Sequence, residues 1–172
     1  KRAVILQDTP VSVSVIIGDK IEKASIHDFR SLSTYIPNFS VTENAISTIA
    51  SMRGVDVGAN QSFENSVGLF VDGVHLAKGR QYRTGLFDVE RVEVLRGPQG
   101  TLFGKNTLAG AVHVVTASAD VGDLFGGRIA IAGEENGGEL IEGHIQGMVA
   151  NNFAMRLALK DRKDDSYFSN TL

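Results

Sequence analysis

The sequence predicts an α+β domain, a small mixed β-sheet with short helices and long loops, followed by a run of antiparallel strands. Residues 90–116 read as two strands joined by a connection rich in glycine. Residues 25–36 space their apolar side chains as a helix does, and a proline follows. Residues 129–160 alternate apolar and polar side chains with the period of two that marks strands.

The glycine-rich segment orders the rest of the chain. Val92 and Val94 alternate with charged neighbours, which favours a strand with one face towards a core. Gly97 and Pro98 end this strand, because proline supplies no N–H to a sheet ladder. A second strand, rich in β-branched residues, follows over 111–116.

Earlier in the chain, valine and serine alternate over 11–17, which predicts a strand ended by Gly18. Ser25 is the predicted cap of a helix, with Asp28 three residues further on. Pro37 ends that helix near residue 35, because the residue before proline avoids helical geometry. The predicted core-facing residues of the helix are Phe29, Leu32 and Ile36.

Short strands and polar loops fill the remainder of the first domain. Asp72 and Gly73 form a strong turn signal between two of these strands. The long polar connections lie at 55–66 and 74–86. The predicted short strands are 39–41, 46–52, 67–71 and 74–76.

Composition argues against several classes of function. The net charge of −3 gives no basic surface for nucleic acid, and the chain has no cysteine. The four histidines lack metal-ligand spacing, so we expect no metal, no cofactor and no catalytic residue. Residues 100–105 look like a phosphate-binding loop, but three residues rather than four separate the glycines and Asn106 replaces the required hydroxyl.

Several segments resemble the plug domain of TonB-dependent outer-membrane receptors. The clearest are VEVLRGPQGTLFG at 92–104 and AGAVHVVT at 109–116, joined by LQDTPVSVSVI at 6–16 and VGLFVDGVHL at 67–76. His113 stands where family members usually carry asparagine or a similar residue. The resemblance implies a plug domain over 1–117, followed over 118–172 by the first three antiparallel strands of an incomplete transmembrane β-barrel.

The alternating strands after residue 117 have two interpretations. Periodicity by itself favours a soluble sandwich, whereas the adjoining plug-like signature favours outer-membrane strands. Residues 151–152 suit a short turn, and 134–138 and 161–172 are predicted loops. The residues expected to face lipid are Ile129, Ile131, Ile141, Ile145, Val149, Met155, Leu157 and Leu159. Those expected to face the lumen are Glu142, His144, Gln146, Arg156 and Lys160.

The resemblance implies energy-coupled uptake of a scarce nutrient, above all an iron–siderophore complex, across the outer membrane. The plug would lie inside the barrel towards the periplasm, with outer-membrane lipid around the barrel. TonB would act on a box upstream of Lys1, where a signal peptide is also expected. The alternatives are a soluble or truncated β-rich binding or adhesion module without transport and, with less support, a secreted enzyme.

The resemblance also implies two sets of site residues. The polar loops would meet the substrate, and cationic, aromatic and amide groups suit an anionic metal chelate. Arg53 and Arg96, each followed by glycine, would pair with glutamates of the barrel wall, here called the plug–barrel lock. Within this chain they would stay unpaired or borrow Glu93; alternatively they are ordinary exposed turn residues. The candidate substrate-binding residues are Gln61, Phe63, Asn65, Arg80, Tyr82 and Arg83.

Overall fold

The computed structural model describes residues 12–44, 48–56, 58, 65–104, 107–122, 124–133 and 138–163. The chain divides into two compact units, Lys1–Ala117 and Ser118–Leu172. In the described part, helices are too short and too polar to cross a membrane.

The first unit contains one five-stranded sheet and a separate hairpin. The sheet has the strand order β1-β6-β7-β4-β5, and β2 and β3 form the hairpin. Strands β4 and β7 run parallel, and the other pairs are antiparallel. The strands are β1 (Ser12–Ile17), β2 (Phe39–Glu43), β3 (Thr48–Met52), β4 (Val67–Val71), β5 (Val74–Leu76), β6 (Val89–Arg96) and β7 (Gly110–Thr116). The helices are α1 (Gly18–Lys23), α2 (Phe29–Ser33), a 3₁₀ helix (Gly79–Arg83) and α3 (Gly100–Phe103).

One face of the five-stranded sheet and the first two helices form a single hydrophobic core. Val92 and Val94 of β6 lie beside Val112 of β7 and are fully buried with it. The predicted helix face is confirmed, since Phe29, Leu32 and Ile36 belong to the same core. Gly110 sits where β7 approaches its neighbours closely: a Cβ there would lie 2.3 Å from Met52 Sδ and 2.4 Å from the Leu95 carbonyl oxygen.

The predicted end of the first strand is confirmed, but the predicted helix cap is wrong. The strand ends at Ile17, and Gly18 begins α1, a helix that the sequence pattern does not predict. Ser25 has a φ of +50°, outside the helical region, and it is Asp28 that caps α2. The Asp28 carboxylate accepts a 2.7 Å hydrogen bond from the Ser31 backbone N–H, which satisfies a free donor of the first turn. The predicted helix is therefore present in a shorter form, as α2, and α1 is an additional helix before it.

The predicted strand at 11–17 is confirmed from Ser12 onwards, but its core-facing residues are unexpected. Ser14 lies opposite the buried Val94, and Ile16 lies opposite the buried Val92. Val15 lies on the other face and is 38% exposed. The serines of the alternation, rather than the valines, therefore point to the side on which the core lies.

The predicted hairpin at 67–76 is confirmed. Asp72 and Gly73 have φ values of +48° and +84°, the backbone that a two-residue hairpin turn requires. The Asp72 carboxylate also accepts hydrogen bonds from Thr116, at 2.9 Å from its backbone N–H and 2.7 Å from its hydroxyl. This fastens the turn to the end of β7.

The second unit is a three-stranded antiparallel sheet of β8 (Gly126–Gly133), β9 (Glu139–Ala150) and β10 (Phe153–Lys163), in the order β10-β9-β8. The predicted turn at 151–152 is confirmed, since Ala150 pairs with Phe153 across it. The predicted loop at 161–172 is wrong over its first three residues, because β10 extends to Lys163. Most of the predicted 134–138 loop lies outside the described residues.

The register of this sheet sorts its side chains into two faces. Ile145 lies opposite Leu157 on one neighbour and Gly127 on the other, and Ile131 lies opposite Ile141. Arg156 lies opposite Gln146 and donates a hydrogen bond to its side-chain oxygen. One face is therefore apolar and the other polar, as the alternation predicts.

Candidate functional site

Two of the predicted substrate-binding residues lie side by side on an exposed helix. Arg80 and Arg83 belong to the 3₁₀ helix and are exposed. Residues three apart on a 3₁₀ helix lie one above the other, so the two guanidinium groups share one side. Gln61 and Phe63 lie outside the described residues.

Arg83 is held in place by the β2–β3 hairpin. Its Nε donates a 2.6 Å hydrogen bond to the Thr48 hydroxyl, and its Nη2 donates a 2.8 Å bond to the Asn44 carbonyl. The Glu43 carboxylate lies 4.0 Å from the Arg83 Nε. These partners fix the orientation of the guanidinium, which lowers the entropy lost when it binds an anion.

Asn65 lies beneath the same helix. It is 8% exposed, and its side-chain Nδ2 is buried without a hydrogen-bond partner in the described part of the chain. Gly79, which begins the helix, permits this close approach, since a Cβ there would lie 3.3 Å from the Asn65 Nδ2 and 2.4 Å from the Thr48 carbonyl oxygen. A buried amide donor without a partner is rare, and it indicates a place for an acceptor.

Tyr82, a third predicted substrate-binding residue on this helix, is not exposed. It is 1% exposed, its hydroxyl donates a 3.2 Å hydrogen bond to the Val67 carbonyl, and its ring lies 5.2 Å from that of Phe29. Burial raises the pKa of the Tyr82 phenol well above its ordinary value. The predicted surface position of Tyr82 is therefore wrong, because the residue fastens the helix to the core.

Arg96 makes three hydrogen bonds at the end of β6. Its Nη1 donates to the Ser12 hydroxyl at 2.9 Å, its Nη2 donates to the Ser14 hydroxyl, and its Nε donates to the Pro37 carbonyl at 3.2 Å. The alternative that Arg96 borrows Glu93 is therefore wrong, and no ion pair of Arg96 is found among the described residues. Neutral oxygens accept three of its N–H groups, and the sequence pattern gives no sign of the two serines.

Arg53 lies in the same part of the first unit as Arg96. Its backbone N–H donates a 2.8 Å hydrogen bond to the Asn38 carbonyl, next to the Pro37 carbonyl that receives Arg96. Its Nη1 lies 3.9 Å from the position of a Cβ on Gly97. Arg53 is exposed and has a φ of +53°, a left-handed backbone that turns the chain after β3.

Glu93 belongs to a different network, on the face of the sheet away from the main core. Arg91 Nε donates to the Glu93 Oε1 at 2.7 Å, and His113 Nδ1 lies 3.2 Å from the Glu93 Oε2. Burial raises the pKa of Glu93, but the hydrogen bonds and charges of Arg91 and His113 outweigh it and hold that pKa below its usual range. The sequence signal for this network is His113 itself, which departs from the plug-like pattern described above.

Comparison with known proteins agrees with this architecture. The family model described as the TonB-dependent receptor plug domain matches residues 5–111. The pesticin receptor of Yersinia pestis is 33% identical over 112 residues, which cover 64% of this chain and 16% of that receptor. The probable TonB-dependent siderophore receptor PiuA of Acinetobacter baumannii is 25% identical over 135 residues, covering 76% of this chain and 17% of that protein.

A solved structure gives the same result. The ferric yersiniabactin uptake receptor FyuA from Yersinia pestis superposes with a TM-score of 0.74 at 26% identity, covering 87% of this chain and 24% of that one. The chain spans less than a fifth of the length of these curated relatives.

The chain therefore belongs to the family of TonB-dependent receptor plug domains. Its relatives are named as outer-membrane receptors and transporters rather than enzymes, and the chain accordingly belongs to an outer-membrane receptor.

The lowered pKa of Glu93 predicts how the stability of the plug depends on pH. A carboxyl whose pKa is lower in the folded state stabilises that state above its unfolded pKa, and this contribution is lost as the pH falls through the folded value. Glu93→Gln should therefore lower the free energy of unfolding at neutral pH, and the difference from wild type should shrink in acid, below the ordinary glutamate range. Urea unfolding of the full-length receptor at several pH values measures this.

The matched control is Glu90→Gln, since Glu90 contacts Arg91 but its side chain is 51% exposed. An exposed ion pair contributes little, so this change should leave the free energy nearly unaltered. If the free energies of unfolding of Glu93→Gln and wild type differed by the same amount at every pH, the assigned role of the ionised Glu93 carboxylate would be contradicted.

Proposed function

We propose that this chain gates an energy-coupled receptor that takes up a scarce nutrient, an iron–siderophore complex, through the outer membrane. The observation that carries the proposal is a plug-domain match over residues 5–111, followed along the chain by three antiparallel strands with one apolar face. Among the relatives, PiuA is named as a siderophore receptor and FyuA as a ferric yersiniabactin uptake receptor.

The substrate-binding face of the plug consists of Arg80, Arg83 and Asn65 on and beneath the 3₁₀ helix, with Gln61 and Phe63 of the 55–66 loop. Ferric siderophores present anionic or polar oxygen atoms. Two guanidinium groups on one side of a helix supply charge and directed N–H donors to such oxygens. Tyr82 supports this face from below by fastening the helix to Val67.

Removing both exposed arginines tests the substrate-binding face. Arg80→Ala with Arg83→Ala should weaken binding of the ferric siderophore by about tenfold or more, since a hydrogen bond to a charged group is worth about 1.5–3 kcal/mol. Equilibrium binding to the full-length receptor, for example by intrinsic fluorescence quenching, measures the effect.

The matched control removes two cations elsewhere on the plug. Lys20→Ala with Lys23→Ala changes the net charge by the same amount, but both lysines lie on α1. This variant should bind as wild type does. Equal loss of affinity in both variants would show that net charge, rather than the 3₁₀ helix, governs binding.

TonB and the barrel wall are the proposed protein partners of the plug. TonB binds a box upstream of Lys1, and the plug–barrel lock consists of Arg53 and Arg96 with glutamates of the barrel wall. The position of the Arg53 guanidinium supports the lock. Its Nη1 lies 3.9 Å from where a Cβ on Gly97 would be, next in sequence to Arg96, so both cations lie at one end of the plug. Pairs of this kind, once buried, are poorly screened by salt.

The apolar face of β8–β10 is proposed to contact lipid and the polar face to line the lumen. The lipid-facing side chains are largely exposed in this chain, with Ile129 at 79% and Leu157 at 54%. On the opposite face, Lys160 Nζ lies 3.4 Å from the Glu142 carboxylate, which neutralises charge on the lumen side.

An arginine scan of two adjacent residues in the middle of β8 tests this orientation. Ile129 and Ala130 point to opposite faces, and Ala130 lies opposite Glu142. Arginine on the lipid face at mid-depth costs about 2–4 kcal/mol in outer-membrane barrels. Ile129→Arg should therefore impair assembly of the full-length receptor in lipid vesicles, whereas Ala130→Arg should assemble normally; equal yields of folded receptor would argue against a lipid-facing strand.

A further inference from the structure

We propose that Ser12 and Ser14 are positioning residues for Arg96, so that the first strand of the plug determines where this guanidinium lies. The proposal rests on the proposed function in one respect, namely that Arg96 pairs with the barrel wall. The positioning itself follows from contacts within this chain.

Each of the three guanidinium nitrogens donates to a different oxygen. The Ser12 and Ser14 hydroxyls accept from Nη1 and Nη2, and the Pro37 carbonyl accepts from Nε. Two of these three acceptors belong to β1. A displacement of β1 thus removes two of the three hydrogen bonds that fix the Arg96 side chain.

The sequence of β1 is unusual for a strand that packs on a core. Ser12, Ser14 and Ile16 share the face that contains the core residues, and Ile16 is buried to 4% exposure. Apolar side chains are the ordinary choice at such positions. The serines occupy the two that lie nearest Arg96, which indicates that their hydroxyls serve as acceptors for its N–H groups.

The donors of Arg96 are not exhausted by these three hydrogen bonds. A guanidinium has five N–H donors, and Ser12, Ser14 and Pro37 accept one each. Within the described residues, one N–H on Nη1 and one on Nη2 have no further acceptor, and these are the donors proposed for a carboxylate of the barrel wall. The same side chain is therefore able to hold β1 and the proposed lock at once.

Strand β1 is also placed to move without disrupting the rest of the sheet. It is the terminal strand in the order β1-β6-β7-β4-β5 and pairs with β6 on one side. Its release would cost its own ladder, the burial of Ile16 and the two serine contacts, while β6 and β7 stay paired. Because both serines contact Arg96, a movement of β1 would also release the Arg96 side chain and so affect the plug–barrel lock.

Amide hydrogen exchange in the full-length receptor tests the assignment. Ser12→Ala with Ser14→Ala should speed exchange of the β1 amides about five- to tenfold, because each lost hydrogen bond contributes roughly 1 kcal/mol or less at an exposed edge. Ser12→Thr with Ser14→Thr keeps both hydroxyls on a residue that suits a strand and should exchange as wild type does. The matched control is Ser40→Ala with Ser51→Ala, whose hydroxyls lie 2.7 Å apart in the β2–β3 hairpin, and it should leave β1 unchanged.

A second background separates positioning of Arg96 from a general effect on strand packing. In an Arg96→Gln receptor, the two serine-to-alanine changes should add no further increase in β1 exchange, since the partner of the hydroxyls is gone. The same fold-change in both backgrounds, or no change in either, would overturn the proposal. The exchange measurement requires neither substrate nor TonB, so it decides the role of the serines independently of transport. A wild-type receptor that takes up no ferric siderophore would contradict the proposed function without affecting that result.

Discussion

The antiparallel pairing of β6 with β7 is the interaction on which the first unit depends. Val92, Val94 and Val112 are fully buried along this pair, and each such side chain stabilises the fold by about 1.5–3 kcal/mol. Strand β1 adds to the outer side of β6, and β4 adds in parallel to β7. The connection between the two strands closes on itself, because the Gly97 N–H donates to the Ala109 carbonyl at 2.9 Å. Arg96 and Glu93 both belong to this pair.

The Arg96 site lies where the run of buried apolar residues along β6 ends. At the end of β6 the alternation continues from Val94 to Arg96, and the partner position on β7 is Gly110, which leaves space for Met52. A charged group placed there needs partners, and β1 supplies hydroxyls where a core would use methyl groups. On the opposite face, Glu93 is satisfied by Arg91 and His113. The proposed substrate-binding face lies on the separate 3₁₀ helix, where Tyr82 enters the core and the two arginines do not.

Much of this fold follows from the sequence, because strand periodicity and turn residues act locally. The strands, the turn at Asp72 and Gly73, and the two faces of β8–β10 are all predicted from their patterns. An alternation with period two does not show which face of a strand is buried. In β1 the serines face the core side, where they contact Arg96, and this partner is 84 residues away in sequence, too far for a local pattern to reveal it. The predicted exposure of Tyr82 is wrong for a similar reason, because a polar loop sequence does not reveal that one of its aromatic rings packs against Phe29. Long-range partners decided each of these cases.

A disulfide between β1 and β6 tests whether the plug gates the receptor by displacement of its first strand. Val13 lies opposite Leu95 on the face away from Arg96, and the chain has no cysteine of its own. Opposed residues of antiparallel strands have Cα atoms about 4.5–5.5 Å apart, within the range of a disulfide. With Val13→Cys and Leu95→Cys oxidised, the receptor should bind ferric siderophore normally but lose uptake, and a reductant should restore it. A tether at Val71→Cys and Val74→Cys, across the local β4–β5 hairpin, should leave uptake intact. Full uptake with the β1–β6 disulfide formed would contradict the account.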